Sequence, residues 1–207
     1  MAIEPLILAS ASPRRRVLLE ELGVPLVVEP CPLPEPEEKP RRLSVEVWAE
    51  GLAHFKACAV ARRWPGRWVL GADTIVVCEG KLLGKPRDGD DARRMLELQA
   101  GRETDVITGL ALVRWGHPVE RIMRHCVTRV WMRDARAERE AYIAGGDWAG
   151  KAGAYGIQNV GDWLVERIDG SFSNVVGLPR GMVAGLLREV CAFPPTGFSE
   201  PGGDGAI

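Results

Sequence analysis

The stretch Leu6-Ile-Leu-Ala-Ser-Ala-Ser-Pro-Arg-Arg-Arg-Val-Leu-Leu19 narrows the folds open to this chain more than any other. The apolar run Ile3–Ala9 reads as a buried strand, and within a few residues it feeds a helix over Pro13–Leu22 that Gly23 stops. Ser12 is a good N-cap and Pro13 a good first helical residue. A helix start presents free N–H groups and a partial positive charge, which repels Arg14, Arg15 and Arg16 but attracts phosphate. The segment therefore predicts a strand–turn–helix unit that receives a phosphorylated ligand. The alternative is plain capping with three solvated arginines.

Downstream, strands and helices intermix. A short strand over Leu26–Val28 precedes Pro30–Pro40, where repeated prolines forbid regular structure and predict a stiff loop. Ser44 caps a long helix reaching about Arg63, with Val45, Trp48, Leu52, Phe55 and Ala59 as its apolar stripe. Trp68–Cys78 and Lys81–Leu83 read as strands joined at Glu79-Gly80, and Asp88 with Asp91 starts a helix to about Leu98. Thr104–Trp115 and Val119–Met132 form a long hairpin around Gly116-His117-Pro118. A helix over Ala135–Ile143, a glycine-rich loop over Gly145–Gly161, a strand over Trp163–Ile168 and a helix over Pro179–Val190 complete the pattern. It predicts a mixed-sheet α/β domain rather than a purely parallel, doubly wound one. The Pro/Gly-rich tail from Pro194 reads as disordered.

Charge and cysteine usage exclude several function classes. Lys and Arg number 27 against 28 Asp and Glu, so no global basic field suits nucleic acid, and any phosphate site must be local. The five cysteines are scattered and without C-x-x-C pairs, which argues against a disulfide framework or a zinc site and fits a reducing cytosol. No apolar run approaches the ~18 residues that span a bilayer, and no signal-peptide pattern opens the chain. The expectation is a soluble cytoplasmic protein.

Asp73 stands inside the otherwise apolar run Trp68–Val77, where an ionised carboxylate is costly unless it is paired, hydrogen-bonded or bound to metal. It is either a structural aspartate bonded to nearby backbone or a functional one holding a divalent cation or orienting water; oxygen ligands suit Mg²⁺ or Mn²⁺. Lys85, in Gly84-Lys-Pro-Arg-Asp88, sits in a turn that Gly and Pro restrict, able to aim an ammonium at phosphate or simply solvated. Lys56 reads from the sequence as a helix-face charge and Glu35 as an exposed acid among prolines. In Gly150–Asn159, regularly spaced glycines would let backbone approach a ligand, with Tyr155 for stacking and Gln158 as a two-ended amide for a base edge; a mobile connector is the alternative. That loop matches no dinucleotide fingerprint, and the chain has no Walker A sequence.

Five segments in order, Ser10-Ala-Ser-Pro-Arg-Arg15, Gly71-Ala-Asp-Thr-Ile75, Gly84-Lys-Pro-Arg-Asp88, Gly150-Lys-Ala-Gly-Ala-Tyr-Gly-Ile-Gln158 and Asn174-Val-Val-Gly-Leu-Pro179, resemble the Maf family of nucleoside triphosphate pyrophosphatases, also described as septum-formation inhibitors. The resemblance is collinear over about residues 3–190 and implies a single domain over 1–192 with a tail over 193–207. It implies an elongated mixed β-sheet with flanking helices, in two lobes around a central cleft, similar to inosine triphosphate pyrophosphatases. It also implies metal-assisted hydrolysis, by Mg²⁺ or Mn²⁺, of a nucleoside triphosphate to the monophosphate and pyrophosphate.

Position by position, the resemblance makes Asp73 the catalytic proton acceptor and Ser10, Arg14 and Arg15 the phosphate-binding loop, with Lys56 and Lys85 as functional lysines. Glu35 matches the functional glutamate of an acidic pair and shares the metal with Asp73, although Pro34 stands where the family has a second acid. Members acting on 7-methylguanosine triphosphate carry Trp, Gln and Glu where this chain has Arg14, Thr74 and Gln158, so it resembles the dTTP- and UTP-cleaving group. A non-hydrolytic nucleotide-binding regulator of cell division is the competing class. The family admits a homodimer, for which the sequence shows no interface.

Overall fold

The computed structural model describes residues 4–36, 38–157 and 163–190. Its strands are β1 (Leu6–Leu8), β2 (Leu26–Val28), β3 (Trp68–Cys78), β4 (Lys81–Leu83), β5 (Glu103–Arg114), β6 (Glu120–Met132) and β7 (Val165–Asp169). They form one seven-stranded sheet in the order β2-β1-β3-β5-β6-β7, with β4 on β3. β1 pairs in parallel with β2 and β3, whereas β3–β4 and β6–β7 are antiparallel, so the sheet is mixed as the alternation of elements predicts. The helices are α1 (Pro13–Glu20), α2 (Val45–Ala61), α3 (Gly89–Gln99), α4 (Arg136–Gly145), α5 (Phe172–Val176) and α6 (Arg180–Glu189).

The chain divides into two compact units. One takes the described residues of Met1–Asp73, Thr108–Cys126 and Gly177–Pro201, the other those of Thr74–Ile107 and Val127–Val176.

In the first unit, Ser12 caps α1 by accepting from the Arg15 N–H, and Ser44 caps α2 by accepting from the Val47 N–H. The packed face of α2 is not the stripe of large residues expected above. Of Val45, Trp48, Leu52, Phe55 and Ala59, only Leu52 is fully buried. The buried face is instead Ala49, Leu52, Ala53, Lys56, Ala57 and Val60. The reason lies in the sheet. A Cβ at Gly71 of β3 would collide with the carbonyl oxygen of Ala53, and one at Gly109 of β5 with the backbone of Ala49. Glycine on the strands and alanine on the helix let the two backbones lie flush, and Ile7, Val69, Ala111 and Val113 close the core around them.

In the second unit, Asp88 caps α3 through the Asp91 N–H at 2.8 Å, and the buried Asp91 carboxylate accepts from the Arg87 N–H and from Arg94. Arg93 of α3 reaches Glu140 of α4 at 3.1 Å. The loop after α4 contains a turn of 3₁₀-helix at Ala152–Ala154, pinned where Gln99 donates to the Gly153 carbonyl at 2.7 Å. Trp163 is exposed ahead of β7 rather than inside it. Among the described residues, no helix is long and apolar enough to cross a membrane.

Candidate active site

β3 is covered on both sides, which explains its near-continuous apolar sequence. Gly71 and Asp73, two residues apart, leave the same face of the strand, the one on which α2 rests. The flush contact at Gly71 therefore lowers α2 far enough for Lys56 to meet Asp73. The Lys56 Nζ lies 2.6 Å from Asp73 Oδ1 and 2.9 Å from Glu35 Oε2, the latter delivered by the proline-rich loop after β2. Lys56 has only 8% of its side chain exposed and Asp73 13%, against 43% for Glu35. The lysine that reads from sequence as a surface charge is thus a buried bridge between two carboxylates. Its desolvation is offset by both of them.

The three arginines of α1 separate by role. Arg16 forms an exposed i,i+4 pair with Glu20. Arg15 turns inward: its Nε donates to the Gly177 carbonyl at 2.9 Å and its Nη1 to Ser10 Oγ at 3.2 Å. Burial pulls the Arg15 guanidinium below its ordinary pKa and Arg14 adds to that, while Asp73 and Glu35 push it back up. It remains a cation at any physiological pH. Ser10 Oγ also accepts from the Ser12 N–H at 3.2 Å. With both lone pairs engaged, the Ser10 hydroxyl is set to donate, as an oxygen of a bound phosphate requires. Arg14 is half-buried and near enough to Arg15 for the two charges to repel.

Ser10, Arg14, Arg15, Glu35, Lys56 and Asp73 thus all belong to the first unit, with Arg15 feeling both carboxylates. Thr74 and Lys85 belong to the second. Thr74 follows Asp73 on the opposite face of β3 and is half-buried. Lys85 is exposed on a turn held in shape where the Gly153 N–H donates to the Gly84 carbonyl at 3.0 Å and where Pro86 is buried. Gln158 lies outside the described residues.

Tyr155 corrects an expectation. It is 5% exposed and therefore not a stacking platform, and burial pushes its phenol above the ordinary value, with Thr104 partly opposing. Gly153 likewise serves packing, since a Cβ there would press on the Val76 side chain. The Gly177 carbonyl is the functional group that sequence reasoning missed. Its trace is the segment Asn174–Pro179, one of the five that carry the resemblance, in which Gly177 holds a φ of +128°, a glycine conformation.

The donor set suits a divalent cation. Glu35 Oε2 and Asp73 Oδ1 touch the same nitrogen, so the sum of those contacts, about 5.5 Å, is the most that can separate them. Two oxygens on one Mg²⁺ stand at most about 4.2 Å apart, a small adjustment from there. Among the described residues no group of three or more His, Cys, Asp or Glu is placed to hold a metal. Two carboxylates completed by substrate oxygens and water are a common arrangement for Mg²⁺.

Relatives of known designation share most of the chain. A protein of Oleidesulfovibrio alaskensis named dTTP/UTP pyrophosphatase is 42% identical over 202 residues, 97% of this chain and 92% of that one. Proteins of the same name from Syntrophomonas wolfei and Geobacter metallireducens are each 46% identical, over 87% and 91% of this chain and 94% and 97% of their own. A solved HAM1 protein from Coxiella burnetii superposes on 63% of this chain and 73% of its own with a TM-score of 0.43 at 15% identity. The Maf-like protein family model matches residues 5–190. Since that match runs from just before β1 to just past α6 and takes in Ser10, Arg15, Glu35, Lys56 and Asp73, the chain belongs to the Maf-like family.

Proposed function

We propose that this chain hydrolyses dTTP and UTP to the monophosphate and pyrophosphate. The observation that carries the reading is the buried Lys56 ammonium joining Glu35 to Asp73, in the same unit as an arginine anchored at a helix start. Relatives at 42–46% identity bear the name of that activity. The four described cysteines are free thiols, which suits a reducing cytoplasm.

The Ser10 hydroxyl, Arg14 and Arg15 bind triphosphate oxygens and neutralise charge that grows as the α–β bridge breaks. Asp73, fixed on a central strand, takes the proton of the water attacking the α-phosphorus, and Glu35 shares the work of holding Mg²⁺ or Mn²⁺. When bound, that cation supplies neutralisation of the phosphate oxygens. For Thr74, Lys85 and Gln158, substrate binding rests on the family resemblance, as does the preference for pyrimidine over methylated guanine that Arg14, Thr74 and Gln158 suggest.

The test is pyrophosphate release with Mg²⁺ or Mn²⁺ from dTTP, UTP, CTP, GTP, ATP and 7-methylguanosine triphosphate. Faster release from dTTP and UTP is expected. Turnover of the methylated nucleotide alone would overturn the substrate, and no turnover at all would overturn the enzyme reading in favour of a nucleotide-binding protein.

A further inference from the structure

Two carboxylates that suit a divalent cation already share a cation of their own. The Lys56 Nζ stands 2.6 Å from one and 2.9 Å from the other, so it occupies the space between the oxygens that a metal would have to join. Bringing a dication in while the ammonium stays would set two positive centres within a few ångströms of each other on a largely buried helix face. Each carboxylate meets the ammonium through a single oxygen, Asp73 Oδ1 or Glu35 Oε2, so its second oxygen lies outside the Lys56 contact and the obstacle to a metal is the ammonium. Lys56 also has somewhere to go. Its stem is flexible, and Arg15 and the Ser10 hydroxyl, in the same unit, are arranged to gather phosphate, to which an ammonium is drawn.

We propose that Lys56 is a resident counter-ion that competes with the metal for Glu35 and Asp73, so that the cation binds tightly only once a triphosphate has drawn the ammonium off the carboxylates. This deepens the reading given under Proposed function and rests on it for the identity of the triphosphate. In the resting protein, Lys56 satisfies two carboxylates that would otherwise repel each other across the site. In the loaded one, the same charge moves to the phosphates, and metal and nucleotide each raise the other's affinity, as linkage requires.

The deciding measurement is Mn²⁺ binding to the full chain, by electron paramagnetic resonance or calorimetry, without turnover. Wild type should bind Mn²⁺ weakly alone, and about tenfold or more tightly with a non-hydrolysable α,β-methylene dTTP analogue. Lys56→Met should bind Mn²⁺ alone about tenfold or more tightly than wild type, and the analogue should add little. Its thermal midpoint should fall without metal and recover on Mn²⁺ addition more than wild type rises. An unchanged Mn²⁺ affinity in Lys56→Met overturns the proposal. Should that variant fail to fold, Lys56→Gln, which keeps a donor between the carboxylates but no charge, decides in the same way. A protein that shows the Mn²⁺ behaviour yet hydrolyses no nucleotide would sink the function and leave the competition standing. Hydrolysis with unaltered Mn²⁺ affinity would do the reverse.

Discussion

Arg15 is tied through its Nε to the carbonyl of Gly177, 162 positions later in the chain, at 2.9 Å. The carbonyl points that way because Gly177 holds φ at +128°, which an L side chain resists. Gly177→Ala should therefore turn the carbonyl away and loosen Arg15 without touching its charge. Loss of one charge-assisted bond of about 1.5 kcal/mol corresponds to about a tenfold rise in KM for nucleotide, with kcat less affected. Steady-state kinetics on dTTP check this; a kcat that falls at constant KM would mean that Arg15 is not held for ground-state binding.

Asp73→Asn keeps the shape of the side chain and an acceptor for Lys56 but removes a base and a counter-charge. Turnover should fall at least ~100-fold, in the range lost with a general base. Stability should fall by roughly 1–3 kcal/mol, less than for an orphaned buried ion, because Glu35 still faces the ammonium. Chemical denaturation alongside pyrophosphate release separates the two effects.

Two glycines in the same region should respond in opposite directions. Gly71→Ala drives a methyl into the Ala53 carbonyl, so α2 must lift and carry Lys56 away from Asp73; a loss of about 1–3 kcal/mol with a fall in activity is expected. Gly51, on α2 itself, has open space where a Cβ would go, and Gly51→Ala should stabilise by about 0.5–1 kcal/mol with activity retained. Thermal melts of the two variants, read with their rates, test whether the close approach serves the site.

Asp91 gives the fold a dependence on acid. Its hydrogen bonds from Arg94 and the Arg87 backbone hold its carboxyl below the ordinary carboxylate value, burial opposing them. A depressed folded pKa contributes stability that is present above the unfolded carboxylate value, near 4, and lost as pH falls through the folded one. Asp91→Asn should therefore melt below wild type at pH 7, with the gap closing as pH drops below about 4. A gap independent of pH would mean that the charge is not what Asp91 contributes.

Much of this was legible in the chain. Ser12-Pro13 and Ser44 mark the starts of α1 and α2 where the structure has them, because caps act locally. The need of Asp73 for a partner follows from a charge in an apolar strand, and the partner exists. Its identity was not legible, because which face of α2 turns inward is set by missing side chains on two strands. A search for large apolar residues finds Trp48 and Phe55 and passes over Ala49, Ala53 and Ala57. Glu35 is brought to Lys56 by a loop without periodicity. The five residues of α5 are too few to show a helical period, so Phe172–Val176 carried no signal.

The tether between Arg15 and Gly177 also sets a clock. On the ribosome Arg15 emerges first and waits for 162 further residues, roughly ten to thirty seconds at ordinary rates of synthesis, before its acceptor exists. A nascent or truncated chain that ends short of Gly177 already carries Ser10, Lys56 and Asp73 yet lacks the strut that steadies its arginine. Copies that stop before Gly177 should thus be poor at capturing nucleotide, so that synthesis of the Asn174–Pro179 segment doubles as the step that arms the site.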